Sequence, residues 1–313
     1  MRYKHFKSAG VDVSELAVGT WAIGGDNYGP VDREASIQAI RAMVNCGVNL
    51  VDTAPCYGNG YSEKVVGEAL QGLRDKVLLS TKCGLITSAA GYDRDSSFKN
   101  IIREVESSLY NLKTDHIDFY FIHWPDTHTP FAETMAALEL LRGQGKIRFV
   151  GVSNFSVEQI EECRRYGRID VQQPPFSMVD QTYAQLMKWG AAEGIDAMTY
   201  GSMGAGVLSG KFRTQPDFPA GDTRLTFYDY FREPKFSKIQ EFLKVMDQVA
   251  EAHGRPVSQV AMNWSTQKSF VGTALVGVRS EAHAYENCAA FDWSLTESEM
   301  SLLDRELDRL QIG

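Results

Sequence analysis

Four side chains of the kinds that move protons sit at the ends of short apolar runs. In the stretch 51–58 the run closes on the carboxylate of Asp52, and the phenol of Tyr57 follows beyond Pro55. A second run closes on the ammonium of Lys82, and a third on the imidazole of His123. Singly, each has an ordinary reading: Asp52 as a helix cap or structural ion pair, Lys82 as a lysine lying along the surface, His123 as a hydrogen-bonded core imidazole. Together they suit protonation of an oxygen. A free phenol titrates near ~10, high for proton donation at neutral pH. A neighbouring ammonium lowers that value by favouring phenolate, and a carboxylate keeps the ammonium charged and oriented. His123 is left to donate a hydrogen bond to a substrate carbonyl oxygen. No nucleophile is paired with a base, so acyl transfer fits poorly, and the electrons of a reduction must come from elsewhere.

Proton-moving groups at strand ends need a scaffold that brings several strand ends together, and the pattern of the chain supplies one. Two extended pieces, 2–6 and 11–14, joined by a turn at 8–10, predict a hairpin. From there strands alternate with helices: strands at 16–19, 48–52, 76–81, 117–123, 147–152, 171–173, 195–200 and 274–277, and helices at 32–45, 62–70, 98–112, 131–142, 157–165, 182–192, 258–265 and 281–289. Strand-helix-strand repeats imply right-handed crossovers and a parallel sheet, and eight of them favour a closed (β/α)8 TIM barrel over an open sheet. No G-x-G-x-x-G follows the first strand, which counts against the open dinucleotide-binding sheet. Three pieces exceed the minimal barrel: the hairpin, expected to close the N-terminal mouth; the long segment 202–236, a candidate lid or cofactor clamp; and extra helices at 237–252 and 296–310. Nothing reads as a linker, so 1–313 is expected to be a single α/β domain.

Composition narrows the function class. The 313 residues are 43% hydrophobic and 23% charged, suited to one large globular core. A formal net charge of −8 argues against nucleic acid or an anionic membrane as partner, while leaving room for a local basic pocket. No apolar run approaches the ~18 residues of a membrane span, and Met1–Phe6 lacks the apolar stretch of a secretory signal, so the expected location is the cytoplasm. Five scattered cysteines, Cys46, Cys56, Cys83, Cys163 and Cys288, contain no C-x-x-C pair and fit neither a disulfide framework nor a zinc site.

In this company the motifs resemble the aldo-keto reductase superfamily, specifically its bacterial inositol-operon reductase-like and channel β-subunit-like group. The matching segments run in order through nearly the whole chain: Gly19-Thr-Trp-Ala-Ile-Gly-Gly, Asp52-Thr-Ala-Pro-Cys-Tyr-Gly, Ser80-Thr-Lys, His123-Trp-Pro-Asp, Gly145-Lys-Ile-Arg, Gly151-Val-Ser-Asn-Phe, Gln172-Gln-Pro-Pro-Phe, Gly206-Val-Leu-Ser-Gly-Lys-Phe and Glu286-Asn287. The resemblance implies a catalytic tetrad of Asp52, Tyr57, Lys82 and His123, with Tyr57 as general acid. It implies NADP as cofactor, with NAD possible, and a small carbonyl compound as substrate. Ser153, Asn154 and Gln173 would hold the nicotinamide carboxamide, Gln173 being preferred to Gln172 for its spacing from Phe176, and Tyr200 would stack on the ring. Gly19, Thr20, Trp21, Gly201, Ser202 and Met203 would also touch the cofactor. The segment with Gly206, Leu208 and Lys211 would serve its pyrophosphate, and Gly277, Arg279, Ser280, His283, Glu286 and Asn287 its adenosine phosphate. Two departures from the family pattern fall here: Gly201-Ser202-Met203 where Ser-Pro-Leu is usual, and His283 where Gln is usual. Trp21, Tyr28 and Trp124 are expected against the substrate, joined by Phe227, Tyr228, Tyr230 and Phe231 of the long segment. Two rival functions share these motifs or this fold: a regulatory subunit that binds NADP and senses redox state with little turnover, and a Schiff-base isomerase or aldolase acting through Lys82.

Overall fold

Residues 1–25, 31–88, 91–218, 222 and 224–313 are described in the computed structural model of the chain. Tyr28, expected against the substrate, lies outside them.

The hairpin β1 (Tyr3–Phe6) and β2 (Val11–Ser14) is antiparallel and stands apart from the main sheet. The eight strands that follow it as barrel staves are β3 (Leu16–Gly19), β4 (Leu50–Asp52), β5 (Leu78–Cys83), β8 (Ile117–Ile122), β9 (Ile147–Ser153), β10 (Val171–Gln173), β11 (Asp196–Thr199) and β12 (Thr273–Gly277). Each pairs in parallel with the next, and β12 returns to β3 with Ala274 opposite Leu16 and Val276 opposite Val18, which closes the sheet into the expected (β/α)8 barrel. Between β5 and β8 lies a second hairpin, β6 (Leu85–Ser88) with β7 (Gly91–Arg94). This hairpin has no signature in the sequence, because β7 is exposed along its whole length and carries no apolar alternation.

Several helix starts carry side-chain caps. Asp32 accepts from the Ala35 amide, Ser97 from Asn100, and Ser156 with Gln159, and Thr296 with Glu299, form reciprocal capping boxes. The extra helices are Lys235–His253 and Glu297–Leu310, which pack on each other against the barrel flank.

The core has an inner and an outer part. Inside the barrel, Phe6 and Val13 of the hairpin pack with Ala17, Leu50, Phe119, Phe121, Val171 and Met198, so the hairpin plugs the N-terminal mouth with its own side chains. Phe6 meets Phe119 edge-on at 6.1 Å between ring centres. Outside, apolar helix faces cover the sheet in two larger clusters. With one end plugged, the open end is the C-terminal one, where strands change to loops.

Candidate active site

Asp52 is the last residue of β4, because Thr53-Ala-Pro follows and proline cannot continue the ladder. It is buried at 2% exposure and held from three sides. Successive residues of a strand point to opposite faces, so Ser80 and Lys82 of β5 share the inner one. Ser80 Oγ donates to Asp52 Oδ1 at 2.6 Å, and Lys82 Nζ donates to Asp52 Oδ2 at 2.6 Å and to the Thr53 carbonyl at 2.8 Å. Gln173 Nε2, from the end of β10, completes the set at 3.0 Å from Asp52 Oδ1. Thr81, on the outer face, instead donates to Glu63 Oε1 at 2.8 Å.

Tyr57 stands over this cluster with Lys82 Nζ 5.2 Å from its ring centre. Here the structure differs from the sequence expectation. Burial raises the Tyr57 phenol well above its ordinary value, and the Asp52 carboxylate pushes the same way. Lys82 is drawn onto Asp52 and Thr53, so its charge does not bring the phenol into the neutral range. Tyr57 is therefore a phenol that keeps its proton through neutral pH. His123 faces it edge-on at 5.9 Å and 80° between rings, and burial, with the Lys82 ammonium next, lowers the imidazole well below its ordinary value. A neutral imidazole can donate one hydrogen bond without carrying a charge.

Close backbone contact fixes the Tyr57 loop. Gly58 has φ +62°, and a Cβ there would lie 2.4 Å from the Gly24 carbonyl oxygen. Gly58→Ala is expected to cost ~1–3 kcal/mol of stability, the scale of overpacking, and to lower activity by displacing Tyr57; denaturant midpoints and steady-state rates check both.

The other expected residues divide. At the end of β9, Ser153 Oγ donates to the Gln173 carbonyl at 2.8 Å. Asn154, in the left-handed region at φ +63°, donates to the His123 carbonyl at 3.0 Å and accepts from the Tyr200 hydroxyl at 2.8 Å. Gln172 points the other way, against Gly190, with both amide atoms lacking partners among the described residues. Gln173, by contrast, has its amide on Asp52. Thr20 was expected to meet a cofactor, yet its hydroxyl donates to the Asp52 carbonyl at 2.9 Å and accepts from Ser62 at 2.8 Å, so it braces β3 against β4. Gly19 pairs with Asp52 in the ladder beside it.

Around the mouth, Trp21 lies 6.5 Å from Tyr57 and 6.5 Å from Phe227 between ring centres. Trp124 carries the Arg94 guanidinium over its ring at 5.1 Å, a contact made by the unforeseen β6–β7 hairpin. Phe231 departs from the expectation of a pocket aromatic: it is fully buried against Phe212, Phe218 and Phe236. Tyr230 stacks on Tyr228 at 5.2 Å and is 7% exposed. Phe227, at 61% exposure, is the aromatic of this group that reaches Trp21.

Beyond Tyr200, Gly201, Gly204, Ala205, Gly206 and Gly210 all have φ between +53° and +93°, and the Gly204, Gly206 and Leu208 amides donate back to the Gly201 and Met203 carbonyls within the loop. The Ser202 hydroxyl is buried without a partner among the described residues, and a Cβ on Gly201 would meet nothing within 4 Å. Leu208 is fully buried, which limits it to backbone contacts with a ligand, while Met203 is partly buried and packs against both outer clusters. Lys211 Nζ lies 3.4 Å from His283 Nε2 in the first turn of the helix Glu281–Ala289, capped by Ser280. Arg279 is exposed just before that helix, whose N-terminus favours anions. Asn287 Nδ2 donates to the Gly277 carbonyl at 3.3 Å, and Glu286 accepts from Ser258 at 3.3 Å. An unpartnered hydroxyl and three basic side chains beside one helix start fit a long ligand carrying phosphates.

The sequence profile of the aldo/keto reductase family matches residues 15–308. This chain belongs to the aldo/keto reductase family. The aldo-keto reductase YhdN of Bacillus subtilis is 33% identical over 98% of this chain and 94% of its own. The NADH-specific methylglyoxal reductase of Escherichia coli is 31% identical over 96% and 97%. Among solved structures, a glycerol dehydrogenase of Gluconobacter oxydans superimposes with TM-score 0.90 at 34% identity, covering 100% of this chain and 96% of that one. A Klebsiella pneumoniae aldo/keto reductase, solved with NADP and acetate, gives TM-score 0.76 at 27% identity over 97% and 94%. Among the described residues no helix is long and apolar enough to cross a membrane, and no cluster of three or more His, Cys, Asp or Glu could hold a metal ion.

Proposed function

We propose that this chain, acting as one (β/α)8 domain, reduces an aldehyde or ketone to an alcohol with NAD(P)H, and that Tyr57 is the general acid. The observation that carries the reading is the Tyr57 phenol and the His123 imidazole facing one another edge-on at 5.9 Å above the buried Asp52–Lys82 pair. A reduced nicotinamide, if held at Ser153, Asn154 and Tyr200, would supply the hydride. The chain's own residues do the rest. His123 donates a hydrogen bond to the carbonyl oxygen and polarises it. Tyr57 gives that oxygen its proton as negative charge develops there. Lys82, fixed by Asp52, offers positive charge to the phenolate that remains.

For the cofactor, Ser153, Asn154 and Tyr200 form the nicotinamide end, 201–211 the pyrophosphate loop, and Arg279, Ser280 and His283 the phosphate of the adenosine. Trp21, Trp124 and Phe227 frame the entry for the substrate. All five cysteines are free thiols, which supports a reducing compartment such as the cytoplasm. The test is a panel of sugars, short aldehydes, quinones and keto-steroids, followed by consumption of NADPH and, separately, NADH. Absence of turnover with cofactor bound would return the regulatory-subunit reading.

Arg279 makes NADP the expected preference. A guanidinium makes charge-assisted bonds to a 2′-phosphate, where NAD offers a hydroxyl. Glu281, next to it in the helix start, opposes the phosphate, and the NADH-specific relative is evidence that a chain this similar can go either way. Arg279→Ala is expected to weaken kcat/KM for NADPH by ~1.5–3 kcal/mol, the scale of a charged hydrogen bond, and to leave NADH nearly unchanged. Equal losses with both cofactors would remove Arg279 from phosphate recognition.

A further inference from the structure

His123 is useful to a carbonyl only in one of its two neutral forms. If Nε2 carries the proton, the ring nitrogen farthest from the backbone donates; if Nδ1 carries it, Nε2 presents a lone pair and repels a carbonyl oxygen. Burial keeps the ring neutral, so something must choose between the two. Among the described residues the partner of the ring is not a carboxylate or a backbone carbonyl. It is the sulfur of Cys56, 3.6 Å from Nδ1, an ordinary separation for a contact through sulfur.

We propose that Cys56 is a positioning residue for His123: its thiol donates a hydrogen bond to Nδ1 and thereby holds the imidazole in the tautomer with the proton on Nε2. The inference rests on the carbonyl-reductase reading, which is what requires Nε2 to donate.

Three observations support the direction of this bond. Cys56 is 5% exposed, and burial pushes its thiol up to about 12 against a weaker opposite pull from Lys82, so the sulfur carries a proton to give. Sulfur is a weak acceptor and an imidazole lone pair a good one, so S–H to nitrogen is the better of the two arrangements. The thiol is also aimed by the turn that aims the general acid: the Tyr57 amide donates to the Ala54 carbonyl at 3.1 Å, and the Ser62 amide to the Tyr57 carbonyl at 3.2 Å. One turn after β4 would thus set both the proton donor and the form of the hydrogen-bond donor opposite it. The His123 backbone is fixed separately, by Asn154 on its carbonyl at 3.0 Å, which steadies the ring without selecting a tautomer.

The test reads the tautomer itself. Nitrogen-15 NMR of the full chain labelled at histidine, with His123→Asn to identify its signals, is expected to give an Nε2–H imidazole in the wild type. Cys56→Ala is expected to shift the ratio toward Nδ1–H by about fivefold, the effect of one weak hydrogen bond, and to lower kcat by a similar factor with KM for NADPH unchanged. Cys56→Ser, which keeps a hydroxyl donor, is expected to stay closer to the wild type in both readouts. A wild-type ring protonated on Nδ1 would overturn the proposal without recourse to any variant. So would Cys56→Ala with an unchanged tautomer ratio. The tautomer arm needs no turnover, so a chain that reduces no carbonyl would sink the functional reading while the Cys56–His123 bond is still judged by the spectrum.

Discussion

Tyr57→Phe is expected to lower carbonyl reduction by ~10²-fold or more, the scale of a positioned general acid, with cofactor affinity nearly unchanged. The substitution deletes one oxygen from a half-buried ring that is held by its neighbours Trp21 and His123 rather than by its hydroxyl. Folding and binding should therefore survive. The pH profile gives a second readout. An acid works only while protonated, so activity governed by Tyr57 is constant at low pH and lost as pH rises through its pKa. Burial and Asp52 raise that pKa, which puts the loss above the ordinary phenol range of ~10 and not near neutrality. Stopped-flow reduction over a pH series would check both statements. A Tyr57→Phe enzyme with full activity, or a wild-type alkaline limb near neutral pH traced to Tyr57, would contradict the assignment.

What could be read from the sequence follows from how each feature is encoded. The barrel staves announce themselves through apolar runs bounded by Gly, Pro and helix caps, so the eight strands and their parallel order were legible. Asp52, Lys82 and His123 were legible because a strand that ends on a titratable residue is locally odd. Ser80 as a partner of Asp52 could have been read as well, since it shares the inner face with Lys82 by the two-residue alternation of a strand. The β6–β7 hairpin was not legible, because its exposed residues have no pattern to distinguish them from loop. The pairing of Cys56 with His123, and the reach of Phe227 to Trp21, depend on contacts between segments far apart in the chain, which no local pattern records. The direction of the Tyr57 shift is hidden from the sequence for a related reason. Sequence names the charges near a phenol and says nothing of how much water is removed from it.

Lys82→Met is expected to abolish measurable reduction, a loss of ~10²-fold or more by the same scale, and to destabilise the fold by ~3–5 kcal/mol, as breaking one side of a buried ion pair does. Lys82 is 1% exposed and Asp52 2%. Removing the ammonium leaves Asp52 held by Ser80 and Gln173, two neutral donors, with no counter-charge. A buried carboxylate left without its counter-ion is costly to the fold. Denaturant unfolding of variant and wild type measures the gap. The double variant Asp52→Asn/Lys82→Met removes the stranded charge and is expected to recover much of the stability while staying inactive, so the two effects separate in one cycle. If the double variant regains activity along with stability, Lys82 serves the fold alone; if Lys82→Met keeps the wild-type rate, the phenolate left after proton transfer has another source of positive charge.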